Sequence, residues 1–290
     1  MPELPEVETT VRGLKKKALG RAFVGVWSDW KKTVKKPNSF ADFEKQIKNK
    51  KIKNIWRRAK NIIFDLSENY SLLVHQKMTG HLLYGIWNFE NGVWLPRENK
   101  KLEDPYNRFL HLIFFLDNGE MIALSDARKF AKVELWNAKE LAKELEKIGP
   151  EPLDKNFNFE KFEEILKARK GKIKQILMDQ GVIAGIGNIY ASEALWTAKI
   201  HPERPASSLS KKELKSLYDS IKKVLELSIK LGGESFSDYR KPDGSKGDFD
   251  TERKAYKREG QKCNRCGHAI KRIKIGQRST FYCPNCQKIK

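Results

Sequence analysis

In this chain proline follows the initiator methionine, and its neighbour is an acid: Met1-Pro2-Glu3-Leu4-Pro5-Glu6-Val7-Glu8. Removal of Met1 would leave Pro2 with a free secondary α-amine. An α-amine titrates roughly two units below a lysine side chain, so more of it is unprotonated at neutral pH. Such an amine attacks a carbonyl-like carbon and forms a Schiff base. The Glu3 carboxylate beside it suits proton transfer. The same residues also describe a plain helix start, with Pro5 in the first turn and two acids at the positive end of the helix dipole.

A second group of residues has metal chemistry. Cys263-Asn-Arg-Cys266 and Cys283-Pro-Asn-Cys286 are two C-x2-C knuckles separated by 16 residues. Each knuckle can place two thiolates about one tetrahedral ion, and four thiolates favour zinc. Four protein ligands leave no open position, so the metal is expected to be structural. The alternating Ile270–Tyr282 stretch between the knuckles, with Gly276 near its middle, predicts a β-hairpin.

The chain has 290 residues with 58 Lys and Arg against 37 Asp and Glu, a formal charge of +21. The basic residues are spread along the whole length and interleaved with Trp, Tyr and Phe, which points to a folded surface for a polyanion such as nucleic acid. No apolar run approaches the ~20 residues of a membrane span, and the charged N-terminus lacks the apolar core of a signal peptide. A cytosolic protein is expected. In that reducing setting the four cysteines favour metal over disulfides.

The elements that must position these groups follow from periodicity. A helix is predicted from Pro5, with Val7, Val11 and Leu14 on one face. Short strands are predicted at 22–27, 52–56, 61–66, 72–75, 81–87, 110–116, 121–124 and 132–136, with a short helix at 40–49. Asp117-Asn118-Gly119 signals a hairpin with a type I′ turn, and several short strands suggest a sandwich or barrel. The 88–107 stretch, rich in Pro, Asn and charge, reads as a surface loop. Beyond Gly149-Pro150 the pattern turns helical, broken by Gly181, Gly185 and Gly187. Ser210-Lys-Lys-Glu213 forms a capping box ahead of a long helix that ends at Gly232-Gly233. The polar 234–262 stretch reads as a mobile loop.

Taken together, these motifs resemble the formamidopyrimidine-DNA glycosylase family, bacterial base-excision enzymes that remove oxidised purines. The resemblance runs nearly end to end: the Met1–Glu8 start, Arg57-Arg58-Ala59-Lys60, His75-Gln76-Lys77-Met78-Thr79-Gly80, Gly185-Ile186-Gly187-Asn188, Glu193, His201-Pro202 and Gln277-Arg278 through Cys286. It implies a multidomain α+β fold: an N-terminal β-sandwich with a flanking helix (1–150), a helix–two-turns–helix domain (151–235), and a lesion-covering loop followed by a β-hairpin zinc finger (236–290). It implies that Pro2 attacks C1′ of the damaged nucleotide, Glu3 serves as acid and base for sugar-ring opening, and Lys60 contacts phosphate and supports catalysis. Glu6 would help to hold the nucleoside. Asn188, Arg278 and Lys174 would grip phosphates. Met78, Arg128 and Phe130 would fill the gap left by the flipped nucleotide, with Arg128 bonded to the orphaned cytosine. Cys263, Cys266, Cys283 and Cys286 would hold one zinc ion.

The expected activity is therefore a glycosylase and abasic-site lyase acting as a monomer on damaged double-stranded DNA in the bacterial cytosol, with strand cleavage by β,δ-elimination. DNA would lie in a basic cleft between the two halves of the chain. Two alternatives are an endonuclease VIII-type enzyme for oxidised pyrimidines and a zinc-containing DNA-binding protein without catalysis. The chain departs from the family at Ala131, where Gly is usual after the wedge Phe, in its longer 88–107 stretch, and in a weakly similar 234–252 loop.

Overall fold

The computed structural model describes residues 1–236 and 238–289. Two units emerge from the contacts: Met1–Glu146 together with Leu231–Asp250, and Lys147–Lys230 together with the chain from Thr251 onward.

The first unit opens with helix α1 (Leu4–Ala18), which has Pro5 early in its first turn; Glu6 in that turn and Lys15, Lys16 and Lys17 in the last match the helix dipole at both ends. Two sheets follow. The first has the strand order β1 (Phe23–Trp27), β9 (Leu110–Leu116), β10 (Met121–Ser125), β6 (His81–Gly85). The second has the order β2 (Val34–Lys36), β11 (Lys132–Asn137), β5 (Tyr70–His75), β4 (Asn61–Leu66), β3 (Ile52–Arg58). All their pairings are antiparallel except β2 with β11. Val7, Val11 and Leu14 of α1 share one core with Phe23, Phe64, Leu82, Phe114 and Val133. The inward residues of both sheets meet there, as in a sandwich. Helix α2 (Phe40–Ile47), capped by Ser39, buries Phe43 and Ile47 in that core. Helix α3 (Ala138–Leu145) closes the unit's first passage.

Two turn assignments differ from the sequence reading. The β9–β10 connection has four residues, 117–120, and of Asn118 and Gly119 only Gly119 has positive φ. The Gly119 N–H donates to the Leu116 carbonyl, and the Leu116 N–H to the Glu120 carbonyl. This is a type I turn with a glycine bulge rather than type I′. The type I′ pattern instead falls at Asn91-Gly92, with φ of 50° and 82°. It joins β7 (Trp87–Glu90) to β8 (Val93–Pro96) inside the stretch expected to be a loop. This hairpin forms because Trp94, Trp87 and Leu102 have an apolar surface to cover: they pack with Leu83, Ile113 and Trp27 on the outer face of the first sheet.

The Leu231–Asp250 passage is irregular but packed. Tyr239 is 5% and Arg240 1% exposed. Arg240 Nε pairs with Asp104 at 3.0 Å, and its guanidinium lies 4.6 Å from the Tyr106 ring. The polar composition of this passage predicts a mobile loop instead, because the groups that bury it lie far away along the chain.

The second unit contains helices α4 (Phe159–Lys167), α5 (Ile173–Met178), α6 (Asn188–Ala198) and α7 (Lys211–Lys230), then the hairpin of β12 (Lys271–Ile275) and β13 (Arg278–Tyr282). Ser210 and Glu213 form the reciprocal cap of α7 that their spacing predicts, at 2.9 and 3.3 Å. Helix α6 is buried nearly all round. Its Glu193 accepts the backbone N–H groups of Lys254, Ala255 and Tyr256 at 2.7–2.9 Å, tying the helix to the chain entering the zinc segment. No described helix is long and apolar enough to cross a membrane.

Candidate active site

Pro2 is buried at the head of α1, while Met1 is 38% exposed. Glu3 is the N-cap and is 2% exposed. Its backbone N–H donates to Glu6 Oε2 at 2.7 Å, which fixes the turn that carries Pro2. The other oxygen of Glu6, Oε1, accepts the Glu234 N–H at 2.8 Å. The Tyr239 hydroxyl donates to the Glu6 carbonyl at 3.0 Å. One buried carboxylate thus clasps the head of α1 to the 231–250 passage. Gly233 makes the approach possible. It has φ of 85°, and a Cβ there would lie 3.0 Å from Glu6 Cγ and Oε1.

Lys60 lies in the β3–β4 turn and is 6% exposed. Ala59 before it has φ of 52°, and its carbonyl accepts Arg57 Nη1 at 3.1 Å. Arg57 also pairs with Glu8 of α1 at 3.0 Å. Burial alone would raise the Glu8 carboxyl; Arg12 and Arg57 hold it below its usual value. This pair ties the lysine turn to the same helix that positions Pro2 and Glu3. His75 lies close enough for the Lys60 charge to act on it. Burial, then Lys77, Lys60 and Lys132, hold its imidazole down at about 3, and it stays neutral.

Met78, Arg128 and Phe130 stand on two adjoining loops of the same unit. Asp126, 1% exposed, joins them. Its carboxylate accepts the Thr79 hydroxyl and, at 2.7 Å, the Ala131 N–H. The Arg128 N–H reaches Thr79 Oγ1 at 3.2 Å. Lys129 at the apex has φ of 58°. Arg128 and Phe130 project outward, Phe130 52% exposed with the Arg128 guanidinium 4.6 Å from its ring centre. Ala131 is not among the residues of positive φ, so its side chain carries no backbone penalty. Sequence reasoning missed Asp126. Its only signal was an Asx-turn pattern, an aspartate two residues before Arg128.

In the second unit, Asn188 begins α6, directly after Gly187. The turn before it is held by Gln180, whose amide bonds the Gly185 N–H and the Ile186 carbonyl, both at 2.8 Å. The Asn188 amide donates to the Ser279 carbonyl at 3.0 Å, beside the exposed Arg278 at the start of β13. Lys174 is placed differently from its expected phosphate contact. It is 1% exposed and donates to Ser192 Oγ and Thr280 Oγ1, both at 2.9 Å. Ser192 in turn donates to the Asn188 carbonyl at 2.8 Å. The buried ammonium holds together the elements that carry Asn188 and Arg278 rather than meeting solvent.

The sulfurs of Cys263, Cys266, Cys283 and Cys286 all lie within 4.8 Å of one another. A tetrahedral zinc with bonds of about 2.3 Å needs sulfurs roughly 3.8 Å apart, so the donor set fits. The His268 N–H lowers the Cys266 thiol to about 6, while burial and the neighbouring thiols push Cys286 up to about 12. Four sulfurs this close cannot all shed their protons without a cation. A bound zinc would supply no open position; it would fasten the two knuckles across the β12–β13 hairpin, whose Gly276-Gln277 turn has both φ positive.

Comparison with known proteins matches this arrangement along almost the whole chain. The formamidopyrimidine-DNA glycosylase N-terminal domain matches residues 1–133, the H2TH domain of the same glycosylase 148–240, and the zinc finger found in FPG and IleRS 260–289. The formamidopyrimidine-DNA glycosylase of Herpetosiphon aurantiacus is 40% identical over 290 residues, covering 99% of this chain and 100% of the relative.

The chain belongs to the formamidopyrimidine-DNA glycosylase family.

A second relative of that name, from Pelotomaculum thermopropionicum, is 39% identical with 100% of both chains covered. Among solved structures, Lactococcus lactis Fpg (MutM) in complex with N7-benzyl-Fapy-dG-containing DNA matches with a TM-score of 0.87 at 34% identity, covering 99% of this chain and 100% of that one. A complex of the same Fpg with abasic-site DNA matches with a TM-score of 0.86 at 34% identity and the same coverage. Family membership makes the chain a DNA glycosylase of base-excision repair with one structural zinc.

Proposed function

We propose that this glycosylase excises oxidised purines, 8-oxoguanine and formamidopyrimidines, from duplex DNA through the amine of Pro2. The observation that carries the proposal is the clasp at the head of α1: Pro2 and Glu3 are fixed by the Glu6 carboxylate, with Met1 exposed outside. Loss of Met1 frees the secondary amine. An α-amine titrates below a lysine side chain, so a larger share of it is unprotonated and nucleophilic at neutral pH.

The target nucleotide must leave the stack before C1′ can be reached, at a cost of a few kcal/mol. Met78 and Phe130 fill the vacated space as apolar wedges, and Arg128 bonds the orphaned base. Asn188 and Arg278 grip the flanking phosphates, the former from the N-terminus of a helix. The Pro2 nitrogen bonds to C1′ as the base departs with the glycosidic electron pair and takes a proton from water. Glu3 accepts the Pro2 N–H proton and passes it to the ring oxygen as the bond from that oxygen to C1′ breaks. The resulting iminium acidifies the C2′ protons. Loss of one expels the 3′ phosphate, and a further elimination expels the 5′ phosphate. Lys60 neutralises phosphate charge during these steps, and Glu6 acts at the nucleoside by fixing the Glu234 backbone. The catalytic part is 1–150, the helical part 151–235 and the zinc-bearing part 236–290. The enzyme acts as a monomer in the bacterial cytosol.

Glu3→Gln separates the two chemistries. Base excision from 8-oxoguanine duplex should stop, while cleavage at a pre-formed abasic site persists. Equal loss of both, or of DNA binding, would contradict the role given to Glu3.

A further inference from the structure

Beside the wedge loop lies a hollow that the excision chemistry does not use. Between β1 and β2 the chain makes a single 3-10 turn, Lys31–Thr33. With Val34, Lys35, Asn38 and Phe40, Lys31 and Lys32 line a hollow of about 340 Å³. Aromatic rings organise its cations. The Lys31 ammonium lies 5.5 Å from the Phe40 ring centre and that of Lys32 5.4 Å from the Trp30 ring centre. Lys129, at the apex of the loop that carries Arg128 and Phe130, lies 4.9 Å from the same Trp30 ring. β2 runs beside β11, with Val34 opposite Val133, so the sheet holds this connector next to the end of the wedge loop.

The charges here are uncompensated. Lys31, Lys32, Lys35 and Lys129 make no ion pair among the described residues, whereas neighbouring Lys36 is held by Glu140 at 2.8 Å and lies 3.6 Å from the Trp136 ring centre. Asp29, the adjacent acid, is engaged by His111 at 2.9 Å. Two ammonium groups on one indole repel each other unless an anion sits near them.

We propose that this lysine-aromatic hollow binds phosphodiesters of the duplex flanking the wedge, extending the DNA interface past the lesion. The inference rests on the reading that Arg128 and Phe130 enter the duplex. Continuity with that loop through Trp30 and Lys129 selects duplex DNA as the occupant, since a wedge inserted at the lesion brings the next stretch of sugar-phosphate backbone alongside it.

The test uses the full-length protein, the variant K31A/K32A/K35A, and a charge-matched control K15A/K16A/K17A on the exposed end of α1. Abasic duplexes of about one and about three helical turns, ~10 and ~30 base pairs, serve as probes. On the long duplex the hollow variant should bind about tenfold more weakly, with the slope of log affinity against log salt reduced by about 2–3. Its affinity for the short duplex and its borohydride trapping there should match the parent. Long-duplex affinity equal to the parent's overturns the proposal, as does an equal loss in the control, which would mark bulk charge rather than a site. Failure of the parent to trap at all would instead strike the Pro2 mechanism, leaving the length comparison to judge the hollow by itself.

Discussion

The carboxylate of Asp126 accepts the hydroxyl of Thr79 while also holding the Ala131 N–H. Thr79 follows Met78, and Asp126 and Ala131 bracket Arg128 and Phe130, so one buried acid aligns all three residues proposed to enter the duplex. Asp126→Ala leaves a hydroxyl and a backbone N–H without their acceptor. The expected cost is about 1.5–3 kcal/mol of stability, with excision from 8-oxoguanine duplex falling further than cleavage of a pre-formed abasic site. Thermal unfolding and paired rate measurements check this; equal loss of the two activities would mean that the bond serves folding alone.

Lys174 gives a sharper contrast, because its buried ammonium bonds Ser192 and Thr280. Lys174→Met keeps the volume and removes the donors. Stability should fall by about 1–3 kcal/mol and DNA affinity should weaken through misplaced Asn188 and Arg278, yet the salt dependence of binding should keep its slope. A direct phosphate contact would lower that slope by about one.

His75 predicts a pH response. Its Nδ1 accepts the Lys77 N–H at 3.0 Å, which requires a neutral ring. Burial and the charges of Lys77, Lys60 and Lys132 hold it at about 3, against about 6.5 in an unfolded chain. The folded value is the lower one, so the stability this group contributes is complete above about pH 6.5 and is lost as pH falls toward 3. His75→Gln should flatten the acid side of the stability curve within that window. Titration of the His75 ring near its ordinary value, followed by NMR, would contradict the assignment.

The zinc site should hold one metal ion per chain. With so small a core around β12 and β13, metal binding supplies much of the hairpin's folding energy. Cys283→Ser is expected to lose the zinc and to weaken DNA binding at least ~tenfold, read by metal analysis and by fluorescence anisotropy. A zinc-free variant of full affinity would show that the knuckles hold without the ion.

Much of this was legible in the chain because it is local. The β-strands alternate along their own length, the capping box of α7 is four consecutive residues, and each zinc knuckle is a contiguous motif. What escaped were partnerships formed across distance. Glu6 and Glu234 are 228 residues apart, and nothing in either neighbourhood announces the other. Nothing in the residues around Arg240 marks it for burial; Asp104 and Tyr106, more than 130 positions earlier, enclose it. The β7–β8 hairpin was hidden among Pro, Asn and charges although Asn91-Gly92 marked its turn, because the apolar face it covers is made by other strands. Lys174 matched a family position, but whether its charge would face solvent or two hydroxyls depended on where Thr280 folds.

The most direct measurement is borohydride trapping on a duplex carrying 8-oxoguanine opposite cytosine, with a thymine-glycol duplex alongside and Met1 removal confirmed by intact mass. A covalent protein–DNA adduct on the first duplex, absent when the Pro2 amine is blocked, is the predicted result. An adduct only on thymine glycol, or none on either duplex despite tight binding, would contradict an amine at Pro2 acting on oxidised purines.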